Sequence, residues 1–328
     1  MVDSEFGYKD ESYYQTPWKS YQGHTAEPID TLDTPLIIEV APCGSFIKRD
    51  LNPNQPYVAE EVADQVIGAM NAGASMAHLH VRREDGIPDA SPETIVKTIK
   101  LIQKEHKPIT TINVRSNIKG ATFGVPLLEE TIGRILDEYG SGYVDMVTGS
   151  PLGDALDPRA PFVMNPEILQ GWVNFLQDNG LKPEMMAYSY KAYPRLKRWL
   201  VDTGVWKKPY YVNTTCGDHA YFTSGPTTPH PWGALYLASM WETNPLPRED
   251  TVQGSVVGGR NWLPLTVEAI MMGYQVVRIG MEDTVYMYPH KDQKIENCQQ
   301  VVETVVNICE NLGREIATPK QARKILGI

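Results

Sequence analysis

Short apolar runs alternate with segments of helical spacing along most of this chain of 328 residues. The apolar runs cover residues 36–41, 76–81, 109–114, 143–147, 184–188, 210–214, 252–257 and 275–279. The helical segments cover residues 58–72, 92–105, 126–138, 166–179, 194–202, 232–242, 263–272 and 295–312. Because parallel strands need a crossover connection, usually a helix, the alternation predicts a parallel sheet. The eight units predict an α/β fold, a (β/α)8 (TIM) barrel. The alternative is a doubly wound open sheet, but the Gly-x-Gly-x-x-Gly turn usual after its first strand is absent.

Residues 1–34 show neither the spacing of a helix nor the alternation of a strand, and they contain five large aromatic side chains among polar residues. We predict that residues 1–34 form an extended N-terminal arm that contacts a neighbouring subunit, with a loose terminus as the alternative. Residues 35–328 are then a single catalytic barrel domain. The 26 glycines and 25 prolines favour one domain, because many of them lie at helix ends and in the predicted top loops.

The charge balance narrows the range of partners. Lys and Arg number 30 and Asp and Glu number 40, which gives a formal net charge of −10 and argues against nucleic acid and anionic membranes as partners. No apolar run approaches the roughly 18 residues of a membrane span, and the first residues lack a signal-peptide pattern. Four cysteines lie far apart without a Cys-x-x-Cys pair, so we expect a reducing, cytoplasmic setting.

Two histidines in the second predicted strand are the first candidate for chemistry. His78 and His80 are two residues apart, so their side chains share one face of the strand and can reach one metal ion. Two polar residues satisfied by hydrogen bonds are the alternative. The metal is favoured because the pair lies near the carboxyl end of a barrel strand, where the active sites of such barrels lie.

A metal site of this kind needs a carboxylate ligand and an open position for substrate or water. Glu282 and Asp283 directly follow the eighth apolar run. One carboxylate can bind the metal while the other serves acid–base chemistry. Arg278 can bind an anionic substrate or hold one of these acids in place.

Polar residues also end the other predicted strands and together suggest a polar mouth above the barrel. Short polar residues at such positions often only cap turns. The candidates for substrate binding are Glu39, Arg82, Asn113, Arg115, Thr148 and Arg260.

Four motifs in order resemble one known family, the β-keto acid cleavage enzymes, whose founding activity is 3-keto-5-aminohexanoate cleavage. The motifs are Gly73-Ala-Ser-Met-Ala-His-Leu-His-Val-Arg82, Ala41-Pro-Cys-Gly44, Arg278-Ile-Gly-Met-Glu-Asp-Thr-Val-Tyr286 and Gly313-Arg-Glu-Ile-Ala-Thr-Pro319. The resemblance covers about residues 35–328.

The resemblance implies a zinc-bearing barrel that is usually a homotetramer, with Zn2+ held by His78, His80 and Glu282. It implies condensation of a β-keto acid with acetyl-CoA, followed by cleavage to acetoacetate and a new CoA thioester. It also implies proton transfer by Asp283, oriented by Arg278.

Departures from the family pattern indicate a divergent member. Phe46 stands where the founding enzyme has an acid that reads the substrate amine, and Met186 where the family has a catalytic Glu, although Glu184 is close. Residues 114–117 replace the usual Ser-Thr-Gly-Gly-like turn. The leading hypothesis is therefore zinc-dependent cleavage of a carbon–carbon bond next to a carbonyl. A CoA-independent retro-aldol lyase, a lactone or amide hydrolase and a catalytically inactive zinc-containing binding protein stay open.

Overall fold

Eight parallel strands close into a barrel in the order in which they occur along the chain. The structure is a computed structural model that describes residues 30–114, 125–151, 165–217 and 232–328. The strands are β1 Ile37–Val40, β2 Met76–Leu79, β3 Ile109–Ile112, β4 Met146–Gly149, β5 Lys182–Ala187, β6 Tyr210–Gly217, β7 Thr251–Gly258 and β8 Val276–Ile279. β1 pairs with both β2 and β8, which closes the ring. The predicted (β/α)8 barrel is confirmed.

The alternation of side chains along each strand divides the interior of the barrel from its helical coat. On β2, Ala77 and Leu79 belong to the large core between strands and helices, whereas Met76 packs inside the barrel. The side chains of His78 and His80 therefore share the inner face, as their spacing predicts.

Helices follow the strands and cover the outside of the barrel. They are α1 Ala59–Asn71, α2 Pro92–Ile102, α3 over residues 125–139, α4 Pro166–Asp178, α5 over residues 192–201, α6 Trp232–Glu242, α7 Trp262–Met271, α8 Cys298–Leu312 and α9 Pro319–Leu326. α3 and α5 each contain a π-helical turn, Glu129–Gly133 and Lys197–Val201. The helix expected from residue 295 begins at Cys298, because the Asn297 side chain accepts a hydrogen bond from the Gln300 amide and caps it.

The C-terminal helix α9 closes the amino end of the barrel and was not expected from the sequence. Ala322 and Leu326 of α9 pack against the inward side chains at the start of the strands: Ile37, Met76, Ile109, Met146, Tyr211, Val252 and Val276. A capping box at Thr318 and Gln321 starts the helix, with Pro319 in its first turn. With the amino end sealed, substrate access is left to the carboxyl ends of the strands.

Residues Thr31–Ile328 form one compact unit. Residues 1–29 of the predicted arm lie outside the described residues, as does Arg115. Among the described residues, no helix combines the length and the apolar composition that crossing a membrane requires.

Candidate active site

Three potential metal ligands meet at the mouth of the barrel. His78 Nε2 lies 3.7 Å from Glu282 Oε2, and His80 Nε2 lies 3.4 Å from Glu282 Oε1. Both histidines are buried on or next to β2, and Glu282 follows β8. Because β1 pairs with both β2 and β8, residues distant in sequence meet here.

The donor set fits a divalent cation of the zinc type. Ligand bonds of about 2.0 Å place nitrogen and oxygen donors about 3.3 Å apart, and the separations of 3.4 and 3.7 Å, which run to the two oxygens of Glu282, allow one ion between the three side chains. Glu282 Oε2 is buried and, among the described residues, has no hydrogen-bond partner. Such a carboxylate oxygen is costly to bury without a cation or donor. Two imidazoles and one carboxylate leave coordination positions open for a substrate.

Arg278 and Asp283 form a buried ion pair beside this cluster. Arg278 Nε donates to Asp283 Oδ2 at 3.0 Å, and Arg278 Nη2 donates to Asp283 Oδ1 at 2.7 Å. Arg278 Nη2 also donates to Glu282 Oε1 at 3.2 Å. Burial opposes the charge of Arg278, but Asp283 and then Glu282 raise its pKa well above the ordinary value. Arg278 therefore stays charged and fixes both acids that follow β8.

The loop after β1 closes against the carboxylate of Glu282. A Cβ atom at Gly44 would lie 2.4 Å from Glu282 Cγ, far inside van der Waals contact, so only glycine fits here without displacing Glu282. The buried guanidinium of Arg82 holds the loop by donating to the Gly44 carbonyl at 2.6 Å and to the Ile47 carbonyl at 2.8 Å. The structure thus places Arg82, a predicted substrate-binding residue, as an anchor of the loop that faces Glu282.

Two buried glutamates lie on the other side of the His78 ring from Glu282. His78 Nδ1 is 3.9 Å from Glu39 Oε1 and 3.8 Å from Glu184 Oε2. Carboxylates behind a ligating histidine orient its ring and raise its basicity. The structure therefore puts Glu39, predicted to bind substrate, behind His78 rather than in the mouth.

Glu184 is held by neighbours on the adjacent strands. Thr148 Oγ1 donates to Glu184 Oε2 at 2.6 Å, and Asn213 Nδ2 donates to Glu184 Oε1 at 2.5 Å. Burial raises the pKa of Glu184, although these hydrogen bonds oppose the rise. Burial, and next the charge of Glu184, raise the pKa of Glu39 well above its ordinary value. For both acids, burial thus favours the neutral form over the carboxylate.

Glu184 was noted in the sequence only as a neighbour of Met186, and Asn213 was not predicted as a site residue. The signal was present, since both are polar residues at inward positions of buried strands. Thr148 was predicted to bind substrate, and the structure places it against Glu184 instead.

The remaining described candidates are Asn113 and Arg260. Asn113 follows β3 and lines the same small cavity as His80. Arg260 follows β7, where it donates to the Lys291 carbonyl and to Asp292 and lies over the Tyr286 ring. The structure therefore brings together His78, His80, Glu282, Asp283 and Arg278, while Arg260 is engaged elsewhere on the rim.

Comparison with known proteins defines the class. The family model of the beta-keto acid cleavage enzymes matches residues 35–328, and the chain belongs to this family. It is 31% identical over 293 residues to a 3-keto-5-aminohexanoate cleavage enzyme of Acetoanaerobium sticklandii, a match that covers 89% of this chain and 98% of the relative. It is 25% identical over 299 residues to a 3-oxoadipate:acetyl-CoA acetyltransferase of Cupriavidus necator, over 90% of this chain and 95% of the relative.

The solved structure of ObcA without ligands shares the fold. The TM-score is 0.69 at 16% identity, and the match covers 84% of this chain and 66% of the ObcA chain. This chain thus spans about two thirds of the length of ObcA, and at this identity the likeness concerns the fold alone.

Proposed function

We propose that this protein is a zinc-dependent enzyme that cleaves a β-keto acid with acetyl-CoA. The reaction is R–CO–CH2–COO⁻ plus CH3–CO–S-CoA to CH3–CO–CH2–COO⁻ plus R–CO–S-CoA. The bond between C2 and C3 of the keto acid breaks, the acetyl group bonds to C2, and the R–CO group passes to the CoA sulfur. The meeting of His78, His80 and Glu282 beside the Arg278–Asp283 pair carries the proposal. Family membership and the names of the relatives support it.

The chain's own residues have distinct tasks in this reaction. Zinc, held by His78, His80 and Glu282, would supply a Lewis acid for the keto and carboxylate oxygens of the substrate. Asp283 takes the proton from C2 of the keto acid and returns it later. Arg278 fixes the orientation of Asp283 through two hydrogen bonds.

The other predicted site residues support these groups from further away. Glu39 acts on the metal site through His78, and Thr148 acts through Glu184. Arg82 acts through the loop after β1. Arg115 as a carboxylate-binding group, Asn113 and Arg260 as substrate-binding residues, the tetramer, the arm and the cytoplasmic setting stay predictions.

The deciding experiment separates the candidate reactions by their products. Purified protein is incubated with a panel of β-keto acids, β-hydroxy carbonyl compounds, lactones and amides, with and without acetyl-CoA, and the products are identified by mass spectrometry. The proposal expects acetoacetate and a new acyl-CoA in equal amounts, only when acetyl-CoA is present. Free acid without CoA would indicate a hydrolase, and a released aldehyde from a β-hydroxy carbonyl compound would indicate a retro-aldol lyase. No turnover with zinc retained would indicate a binding protein.

A further inference from the structure

An apolar cluster lies inside the barrel, apart from the main core. Met186 of β5, Val256 of β7 and Tyr188 pack together as a separate group of buried side chains. Their sequence neighbours Met185 and Val257 instead belong to the core between strands and helices. The alternation along the strands therefore points Met186 and Val256 toward the barrel axis.

This cluster lies at the level of the reaction centre. Met186 is two residues nearer the carboxyl end of β5 than Glu184, so it lies one layer closer to the mouth. Val256 is the register partner of Arg278 on β8 and of Thr215 on β6. The cluster thus begins at the strand position next to Arg278 and extends across β6 toward β5. Its neighbour Thr215 is uncharged.

Four arginines described at this end of the barrel are already engaged. Arg278 is paired with Asp283 and Glu282, and Arg260 is paired with Asp292. Arg82 donates to loop carbonyls, and Arg195 donates to the carbonyl of Pro151, which follows β4. The buried acids Glu39 and Glu184 lie in the layer below. Within the described ranges, a charged group on the far end of a substrate placed against the cluster would therefore contact apolar side chains. The cluster offers it no counter-ion, and burying an unpaired charge is costly.

A further apolar side chain lies on the loop that closes over the metal ligands. Phe46 is two residues beyond Gly44, which packs against the Glu282 side chain, and 43% of Phe46 is exposed. A large aromatic side chain beside a polar centre offers contact area to an apolar group of a ligand.

From this arrangement we infer the substrate class, an inference that rests on the proposed function. The substrate is a β-keto acid whose group R on C3 is uncharged and apolar, and Met186, Tyr188 and Val256 form the wall that receives R. The keto and carboxylate groups face the metal ligands, while the alkyl or aryl group points toward β5 and β7.

A matched series of six-carbon acids tests the inference. 3-Oxohexanoate has an uncharged R, 3-oxoadipate carries a carboxylate at the same end, and 5-amino-3-oxohexanoate carries an ammonium. We expect kcat/KM with acetyl-CoA to be about 100-fold or more higher for 3-oxohexanoate than for either charged acid. A charged acid cleaved as well as 3-oxohexanoate, or better, would overturn the inference and leave the proposed function intact. If none of the three acids yields an acyl-CoA, the proposed function fails first.

Paired variants test which side chains form the wall. Met186→Gln keeps the length of the side chain but places an amide toward the axis, and Met185→Gln makes the same change toward the helices. We expect Met186→Gln to lower kcat/KM for 3-oxohexanoate about tenfold, mainly through KM, and to narrow the gap to 3-oxoadipate. Met185→Gln should lower stability without changing the ratio between the acids. Val256→Thr and Val257→Thr form a second pair should a glutamine variant fail to fold. Equal selectivity ratios within both pairs would refute the assignment of the wall.

Discussion

The replacement Asp283→Asn tests the central ion pair of the site. The Asp283 and Arg278 side chains are 0% and 3% exposed, and two hydrogen bonds of 3.0 and 2.7 Å join them. Asparagine keeps one acceptor oxygen but loses the charge, so the hydrogen-bonded carboxylate that Arg278 keeps is Glu282 at 3.2 Å. Breaking a buried ion pair costs about 3–5 kcal/mol, and because one hydrogen bond survives we expect a loss of about 2–3 kcal/mol.

Activity should fall further than stability. Removing a positioned acid–base group lowers turnover by about 10²–10⁴-fold. Because Asp283 is outside the group of His78, His80 and Glu282, the variant should retain its metal. The assay combines urea unfolding, metal analysis and steady-state rates measured where both proteins are fully folded.

Asp202→Asn provides the matched control, because it also removes a carboxylate from an ion pair, with Lys197 at 2.5 Å. That pair is exposed, so its loss should cost about 0–1 kcal/mol and leave turnover unchanged. The proton-transfer role of Asp283 is refuted if folded Asp283→Asn keeps its metal and its turnover stays within about threefold of the wild-type value. The loss expected for an acid–base group is far larger than threefold. If the variant loses its metal, Asp283 supports the metal site rather than the proton transfer.

Two further replacements have expected outcomes of defined sign. Lys182→Met should raise the free energy of unfolding in urea at pH 7 by about 2 kcal/mol. Burial lowers the pKa of Lys182 to about 8, so the folded state pays for keeping the charged form. The lost hydrogen bond to the Pro209 carbonyl offsets about 1 kcal/mol of this gain. Between pH 8 and about pH 10.4 the unfolded lysine still binds a proton that the folded one has lost, so wild-type stability rises with pH. The stability advantage of the variant should therefore vanish by about pH 10.5. An equal advantage at pH 7 and pH 10.5 would contradict this cause. Gly44→Ala should weaken zinc binding in a chelator competition by about tenfold or more, because its Cβ would displace Glu282, whereas Gly68→Ala within α1 should leave zinc affinity unchanged.

The sequence alone predicts those parts of the site that follow from the regular alternation of side chains along a strand. The two-residue spacing of His78 and His80 predicts a shared inner face, and the barrel prediction places Glu282 at the same end of the sheet. Which strands become neighbours around a closed barrel also follows from chain order, so the meeting of β1, β2 and β8 was predictable.

The depth of a residue within the barrel was not predictable in the same way. Glu39 and His78 both face inward, but only the structure shows that Glu39 is the register partner of Arg278 and lies behind the His78 ring. Arg82 illustrates a second limit, because its role depends on the path of the loop after β1. No regular spacing of residues in the sequence predicts that path. The short helix α9 was missed because eight residues carry little periodic signal, although Thr318 and Gln321 form a capping box that marks its start.

The central claim is that His78, His80 and Glu282 hold a catalytic zinc ion, and metal analysis of the purified protein tests it most directly. The account predicts about one zinc per chain, and loss of both zinc and turnover in His78→Ala. His106→Ala, which removes an exposed histidine bonded to Asn71, should change neither. A wild-type protein that turns over without zinc, or a His78→Ala variant that keeps full zinc and full activity, would contradict the account.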